Sequence, residues 1–436
     1  MATLTPQGQA ASGQRATQLR PRVGQTPRPT SAHEVLRWLR SMLDRPLTNY
    51  HLVLGSVALL LIVGLMMVLS ASSVNAYLTY RDSYFYVKRQ VIFLAAGVLG
   101  AFTIMKLPPP TLRLLSWFGL ALATISLILT YTPLGISVNG NRNWLYLGSS
   151  LFSVQPAEFA KLAMIVWGAD LLARKHRLLD QPKHLLVPFL PVSCILVLLV
   201  LFQGDAGTAV VMAVIAAGLL WIVGAPLRVL VVLASAGVAG VVAIFVTSSV
   251  RMRRLAAFLD PTLDASGANH QANAGMFAIA SGGWWGVGLG ASRQKWGSLP
   301  EAHTDFIFAV LGEEFGLFGS LVVLAMIGIL GYAGIRVAMR ADDPFVRYAA
   351  GGVTIWFMIQ ALINLAVVLR MLPIAGVPLP LLSYGGSALV ANLLAVGVLL
   401  ACARREPDAR RLLARKAMRP TRRMTAVVGS RSGPRT

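Results

Sequence analysis

Long apolar runs separated by short polar turns dominate the chain. They fall at residues 52–72, 85–105, 112–131, 157–173, 185–202, 207–224, 228–247, 307–335, 349–369 and 380–402. A helix needs roughly 20 mostly apolar residues to cross the hydrocarbon core of a bilayer. The pattern therefore predicts an all-α integral membrane protein of about ten transmembrane helices. An even number of spans puts both termini on one side. Arg174, Lys175, Arg177 and Lys183 crowd the turn at 174–184, and they mark that side as cytoplasmic. The first run starts at Leu52, too late and too long for a cleaved signal, and reads as an uncleaved anchor.

Composition agrees and adds the flanks. Hydrophobic residues make up 56% of the chain and charged residues 13%, against about 25% charged in soluble domains. The expected organisation is a disordered cytoplasmic segment at 1–50, a membrane domain at 51–402 and a basic, disordered cytoplasmic tail at 403–436. The net charge of +22 would suit a nucleic-acid partner, but seven arginines lie in residues 1–50 and eleven basic residues follow Ala403. Basic charge gathered on the flanks of a membrane domain suits anionic lipid and argues against nucleic acid. A short amphipathic piece at His33–Leu43 suits a place on the membrane surface. Cys194 and Cys402 sit in apolar runs without metal spacing, and there is no HExxH or Walker A pattern.

Two outer segments are long enough to carry function: 132–156, and the large extracellular loop 248–306 between the seventh and eighth spans. The second ends GVGLGASRQKWGSLPEAHTDFIFAVLGEEFGLFG, from Gly286 to Gly319. Glu301, His303 and Asp305 crowd the point of re-entry. A carboxylate there loses solvation and can serve as a general base; equally, Thr304 or Asp305 can cap the helix that follows. Glu313 and Glu314 lie deeper and need a cavity or a partner. Arg251, Arg253 and Arg254 open the same loop and are candidates for an anionic head group. The glycines of GGWWGVGLG suit a tight re-entrant turn. In SVQPAEFAKL, Glu158 and Lys161 share a helix face three residues apart, with Pro156 in the first turn. Asp205 in QGDAGTA suits a helix cap. LRMLPIAGVPLPLLSYGGS breaks a helix at membrane depth, where Ser383, Tyr384 and Ser387 can line a polar cavity.

SVQPAEFAKL, LPEAHTDFIFAVLGEE and LPIAGVPLPLLSYGGS, in this order along the chain, resemble the SEDS family of shape, elongation, division and sporulation proteins. The likeness covers residues 50–402, and Ala302 after the glutamate resembles the FtsW and SpoVE branch; the arginine-rich tails suit an actinobacterial member. The resemblance implies a glycosyltransferase that polymerises lipid II, with a glycan on undecaprenyl pyrophosphate as donor and Asp305 as catalytic base. Glu158, Lys161, Arg251, Arg253, Arg254, Lys295, Glu301, His303, Thr304, Glu313, Ser383, Tyr384 and Ser387 are then the residues to hold substrate. Positive charge for the leaving pyrophosphate would come from arginine, lysine or a divalent cation, Mg or Mn. The implied partners are a class B penicillin-binding transpeptidase and other divisome proteins, at a septal site in the plasma membrane. Transport of lipid II and an elongation role are the competing readings. The chain departs from the family pattern at Asn143, Gly204, Arg370 and Ala375, which bears on the cation contacts.

Overall fold

The computed structural model describes residues 45–418, except 139, 147, 149–152, 180, 248–251, 253–255, 257 and 261–267. Each apolar run closes into a helix, because only a helix satisfies its own backbone in lipid. The helices are α1 (Thr48–Tyr80), α2 (Phe85–Lys106), α3 (Pro109–Leu129), α4 (Pro156–Arg174), α5 (Pro182–Leu186), α6 (Phe189–Phe202), α7 (Ala206–Val223), α8 (Leu227–Thr247), α9 (Ala268–Gly282), α10 (Ile307–Arg340), α11 (Pro344–Val368), α12 (Gly386–Ala403) and α13 (Pro407–Met418).

Eight of the described helices are long and apolar enough to cross a membrane, counting Lys183–Phe202 as one. The other two expected spans are α4 and α8. Helix α4 carries Glu158, Lys161, Asp170 and Arg174, too much charge to be recognised from hydropathy. The apolar stretch of α8 is shorter, Leu227–Gly240. Helix α12 is central, with 83% of its apolar window buried, whereas α2 buries 17% and turns Leu99 and Phe102 outward to lipid. These two helices still pack closely: a Cβ on Gly397 would stand 2.6 Å from the carbonyl oxygen of Ala101. Small residues at such crossings let backbones approach.

The helical membrane fold is as expected, with one small addition: β1 (Gly135–Val138), β2 (Asn141–Tyr146) and β3 (Ser153–Val154) form an antiparallel sheet in the order β1-β2-β3. One expectation needs correction. The tail is helical over Pro407–Met418 rather than disordered from 403, with Pro407 at the start, Asp408 in the first turn and an Asp408–Arg411 pair at 3.8 Å. Residues 1–44 and 419–436, with the remaining tail readings and the His33–Leu43 piece, lie outside the described residues.

Helix α10 breaks at Gly316, which has φ 66° and ψ −162°, a conformation natural only to glycine. Two rungs of the helix are lost there and the GGWWGVGLG segment replaces them. Val287 N–H donates to Glu313 O at 3.0 Å and Gly288 N–H to Glu314 O at 3.1 Å. Leu317 N–H donates to Gly283 O at 2.9 Å and Phe318 N–H to Trp284 O at 3.3 Å. The expected re-entrant turn is therefore a strand-like clasp on a broken helix, and its orphan backbone groups find partners.

Candidate active site

Between α11 and α12 the chain runs without helix from Met371 to Gly385, as the prolines of PIAGVPLP require. Three other parts of the chain meet this segment: the start of α7, helix α11, and the turn before α10. The backbone of Gly207 abuts Ala375, so closely that a Cβ would collide with its carbonyl. Asp205 caps α7 as expected, accepting from Thr208 N–H at 3.0 Å. Its other oxygen accepts from Asn143 Nδ2 at 3.1 Å and Gln155 Nε2 at 3.0 Å, so one carboxylate ties β2 and the approach to α4 to α7.

Asp305 stands at the centre. It lies in the turn before α10, where Phe306 begins the helix without any side-chain cap. Capping is thus ruled out for Asp305 and for Thr304, whose hydroxyl donates to Glu301 Oε2 at 2.6 Å. Among the described residues no donor or cation bonds the Asp305 carboxylate. A Cβ on Gly376 would come within 3.8 Å of its Oδ2. Desolvation first, then the charges of Glu301 and Asp205, pushes the Asp305 carboxyl up to about 7. A carboxylate so placed titrates where a general base works best.

Around it, Glu301 is exposed and held at φ 53° by backbone bonds from Thr304 and Phe306 to its carbonyl. His303 is buried between Tyr86 and Tyr384, with ring centroids 4.6 Å and 5.5 Å away. Burial lowers its pKa against the opposing pull of Glu301, so the ring is neutral at pH 7. Its carbonyl accepts from Tyr384 N–H at 2.9 Å, which pins the SYGG turn to the turn before α10. Ser383 Oγ accepts from Leu379 N–H at 2.9 Å and Ser387 Oγ from Gln155 N–H at 3.3 Å. These hydroxyls hold backbone in place.

The remaining candidates are occupied by the fold. Lys161 is 1% exposed and bonds Glu158 Oε1 and Gln360 Oε1, both at 2.8 Å. The expected Glu158–Lys161 pair forms, but as a buried clamp. Glu313 accepts from Ser292 Oγ at 2.6 Å and Arg293 N–H at 2.9 Å. Glu314 accepts from Ser70 Oγ at 2.5 Å and Lys295 Nζ at 3.3 Å. Lys295 also donates to Gly290 O at 2.6 Å. Glu313 and Lys295, expected on substrate, thus lock the clasp onto the α10 break. Ser292 and Lys295 have SxxK spacing, yet the hydroxyl serves Glu313 and the ammonium Glu314, so they form no nucleophile pair. Arg251, Arg253 and Arg254 lie outside the described residues.

Sequence reading passed over Asn364, Gln360, Gln155 and Tyr86, and met Asn143 only as a departure from the family pattern. Gln360 and Asn364 had a visible signal, two amides one helical turn apart within an apolar span.

The family model described as cell cycle protein, covering FtsW, RodA and SpoVE, matches residues 50–407. The chain belongs to the FtsW/RodA/SpoVE family. FtsW/RodA/SpoVE relatives include a probable peptidoglycan glycosyltransferase FtsW of Mycobacterium tuberculosis, 37% identical over 84% of this chain and 70% of that protein. Stage V sporulation protein E of Bacillus subtilis is 38% identical over 81% of this chain and 96% of its own length. A family fold is also seen in solved structures. One, from a study of how a peptidoglycan synthase complex coordinates polymerization and crosslinking, matches with TM-score 0.67 and 26% identity over 84% of this chain and 99% of that one. Thermus thermophilus RodA matches in fold with TM-score 0.60 at 24% identity, over 84% of this chain and 99% of its own.

Proposed function

We propose that this multi-pass membrane protein is a peptidoglycan glycosyltransferase that polymerises lipid II, with Asp305 as general base. The carrying observation is a desolvated carboxylate, raised to about 7 and free of any bonded donor among the described residues, at the meeting point of four chain segments. In the reaction the acceptor sugar hydroxyl attacks the anomeric carbon of a glycan on undecaprenyl pyrophosphate. The new glycosidic C–O bond forms as the bond to pyrophosphate breaks. Asp305 takes the hydroxyl proton, and undecaprenyl pyrophosphate leaves. One displacement needs one base, which suits a single free carboxylate better than the paired acids of glycosidases.

Arg370 is a described candidate for positive charge toward the leaving group near the broken segment. Arg370 bonds only neutral amide oxygens, Asn273 Oδ1 at 2.6 Å and Asn269 Oδ1 at 3.3 Å, so no carboxylate cancels its charge in these contacts. Among the described residues there is no group of three or more His, Cys, Asp or Glu that could hold a metal ion; a divalent cation would be held by one or two carboxylates together with the substrate pyrophosphate. A crosslinking transpeptidase as partner, a wider set of division proteins and a septal location are part of the proposal. Support comes from the relatives named FtsW and from the synthase complex that shares the fold.

The test is polymerisation by protein purified in detergent, with and without a cognate transpeptidase, from labelled lipid II. Glycan polymer on a gel is the expected result. Absence of polymer in both conditions, with labelled lipid II crossing vesicles that contain the protein, would establish transport instead.

A further inference from the structure

Helix α11 carries Gln360 and Asn364 one turn apart, and both face the non-helical segment. Gln360 is fully buried. Its Oε1 accepts from Lys161 Nζ at 2.8 Å and Trp356 Nε1 at 2.6 Å, which leaves Nε2 to donate to Pro378 O at 2.9 Å. Asn364 is 1% exposed. Its Nδ2 donates to Val377 O and to Asp305 O, both at 2.8 Å. One nitrogen thus spans two chain segments 72 residues apart in sequence. Among neutral side chains only a carboxamide can do this: it puts two N–H groups on one nitrogen, whereas a hydroxyl donates once, and a carboxylate only accepts. Asn364 Oδ1 has no partner. The reverse orientation would aim that oxygen at two carbonyls, so the donor assignment follows from the geometry.

The two carbonyls belong to the residues that shape the site. Asp305 carries the free carboxylate. Val377 follows Gly376, whose left-handed turn (φ 67°) faces Asp305 Oδ2. The geometry points to Asn364 as a positioning residue: its amide fastens the backbone of the base to the turn opposite, and so fixes where the carboxylate meets the acceptor hydroxyl. The clamp continues through Gln360 to Lys161 and Glu158, so the buried ion pair supports the same turn from behind. This inference rests on Asp305 being the base.

A loosened clamp displaces the carboxylate and admits water to it. Small displacements of a reacting group cost about 10²-fold in rate. Asn364→Ser, which keeps one donor, and Asn364→Ala, which keeps none, are expected to lower kcat for lipid II polymerisation by about 10-fold and 100-fold. The KM should stay within about 3-fold of wild type, because the clamp touches no substrate. The midpoint of the pH–rate profile should also move to lower pH as Asp305 gains water. The charges acting on it are Glu301 in the same turn and Asp205 at the start of α7, with neutral His303 and the Tyr384 phenol nearby, and neither substitution alters these. Rates are expressed per folded molecule, judged by size exclusion and thermal midpoint. Variants with the wild-type rate and pH midpoint per folded molecule, whatever their yield, would assign Asn364 to the fold alone and overturn the inference. Asp305→Asn, run in parallel, separates the two readings. If it is active, the base assignment fails; if it is inactive beside a fully active N364S, only the positioning role fails.

Discussion

Asp305→Asn is expected to reduce lipid II polymerisation at least about 100-fold and to raise thermal stability at the same time. The first effect follows from the loss of a general base, a contribution of roughly 10²–10⁴-fold. Asparagine keeps the shape and the backbone bond from Asn364, so substrate binding should be little changed. The second effect follows from the sign of the shift. The folded carboxyl titrates at about 7 against an ordinary 3.8, chiefly through desolvation. Its protonated form is therefore the one the fold favours. The contribution to stability is full below the ordinary pKa and is lost as pH rises through about 7. At pH 8 the ionised carboxylate costs on the order of 1–4 kcal/mol, the upper figure being the full shift converted and the lower allowing for its partial exposure. Removing the charge should raise the thermal midpoint by a few degrees. A variant that keeps more than about a tenth of the polymerisation rate, short of the minimum for a lost base, would remove Asp305 from the chemistry. A variant no more stable than wild type at pH 8 would contradict the desolvated state.

Lys161→Met is expected to destabilise the protein by about 3–5 kcal/mol, because it leaves Glu158 buried without its cation. Glu158 is 1% exposed and its Oε2 already lacks a partner. The methionine stem fills the space over the Trp356 ring, which the Lys161 ammonium now faces at 5.0 Å. The loss is therefore electrostatic and not a cavity. The double variant Glu158→Gln, Lys161→Met should recover most of the stability, since no buried charge is left unpaired. Thermal unfolding in detergent, followed by the size-exclusion peak, measures both. Equal losses in the single and double variants would show that the pair acts through packing. A single variant with wild-type stability would show that Glu158 finds another partner.

Most helical runs were legible because lipid makes helix formation obligatory, so hydropathy alone places eight of them. The pattern is weakest at α4, where Glu158, Lys161, Asp170 and Arg174 interrupt it. Those charges are tolerated because Gln360 meets Lys161, and Trp117 and Arg174 meet Asp170 at 3.1 Å and 2.8 Å. Gln360 and Trp117 lie far off in sequence and cannot be read from it. The sheet was missed for another reason. Its strands are short and polar, and counting spans passes over the Asn139–Gly140 pair between β1 and β2, a hairpin signal. Asp305 came from a resemblance; the residues alone left base and cap equally open. Geometry removes the cap, because α10 starts at Phe306 with no side-chain bond. Glu313 and Lys295 look like site residues in the sequence for the reason that makes them structural: buried charge attracts partners, and only the fold shows that Ser292, Arg293 and Glu314 take them.

The most direct test of Asp305 as base is the pH dependence of polymerisation by wild-type protein, measured as initial rate from labelled lipid II between pH 5 and 9, with Asp305→Asn alongside. The base must be ionised to accept the proton, and its carboxyl is raised to about 7. The wild-type rate should climb about tenfold per pH unit on the acid side, bend near pH 7 and level off above it, while the variant stays near background throughout. A wild-type rate that is flat across this range, or a variant that follows the same curve at a comparable rate, would contradict the account.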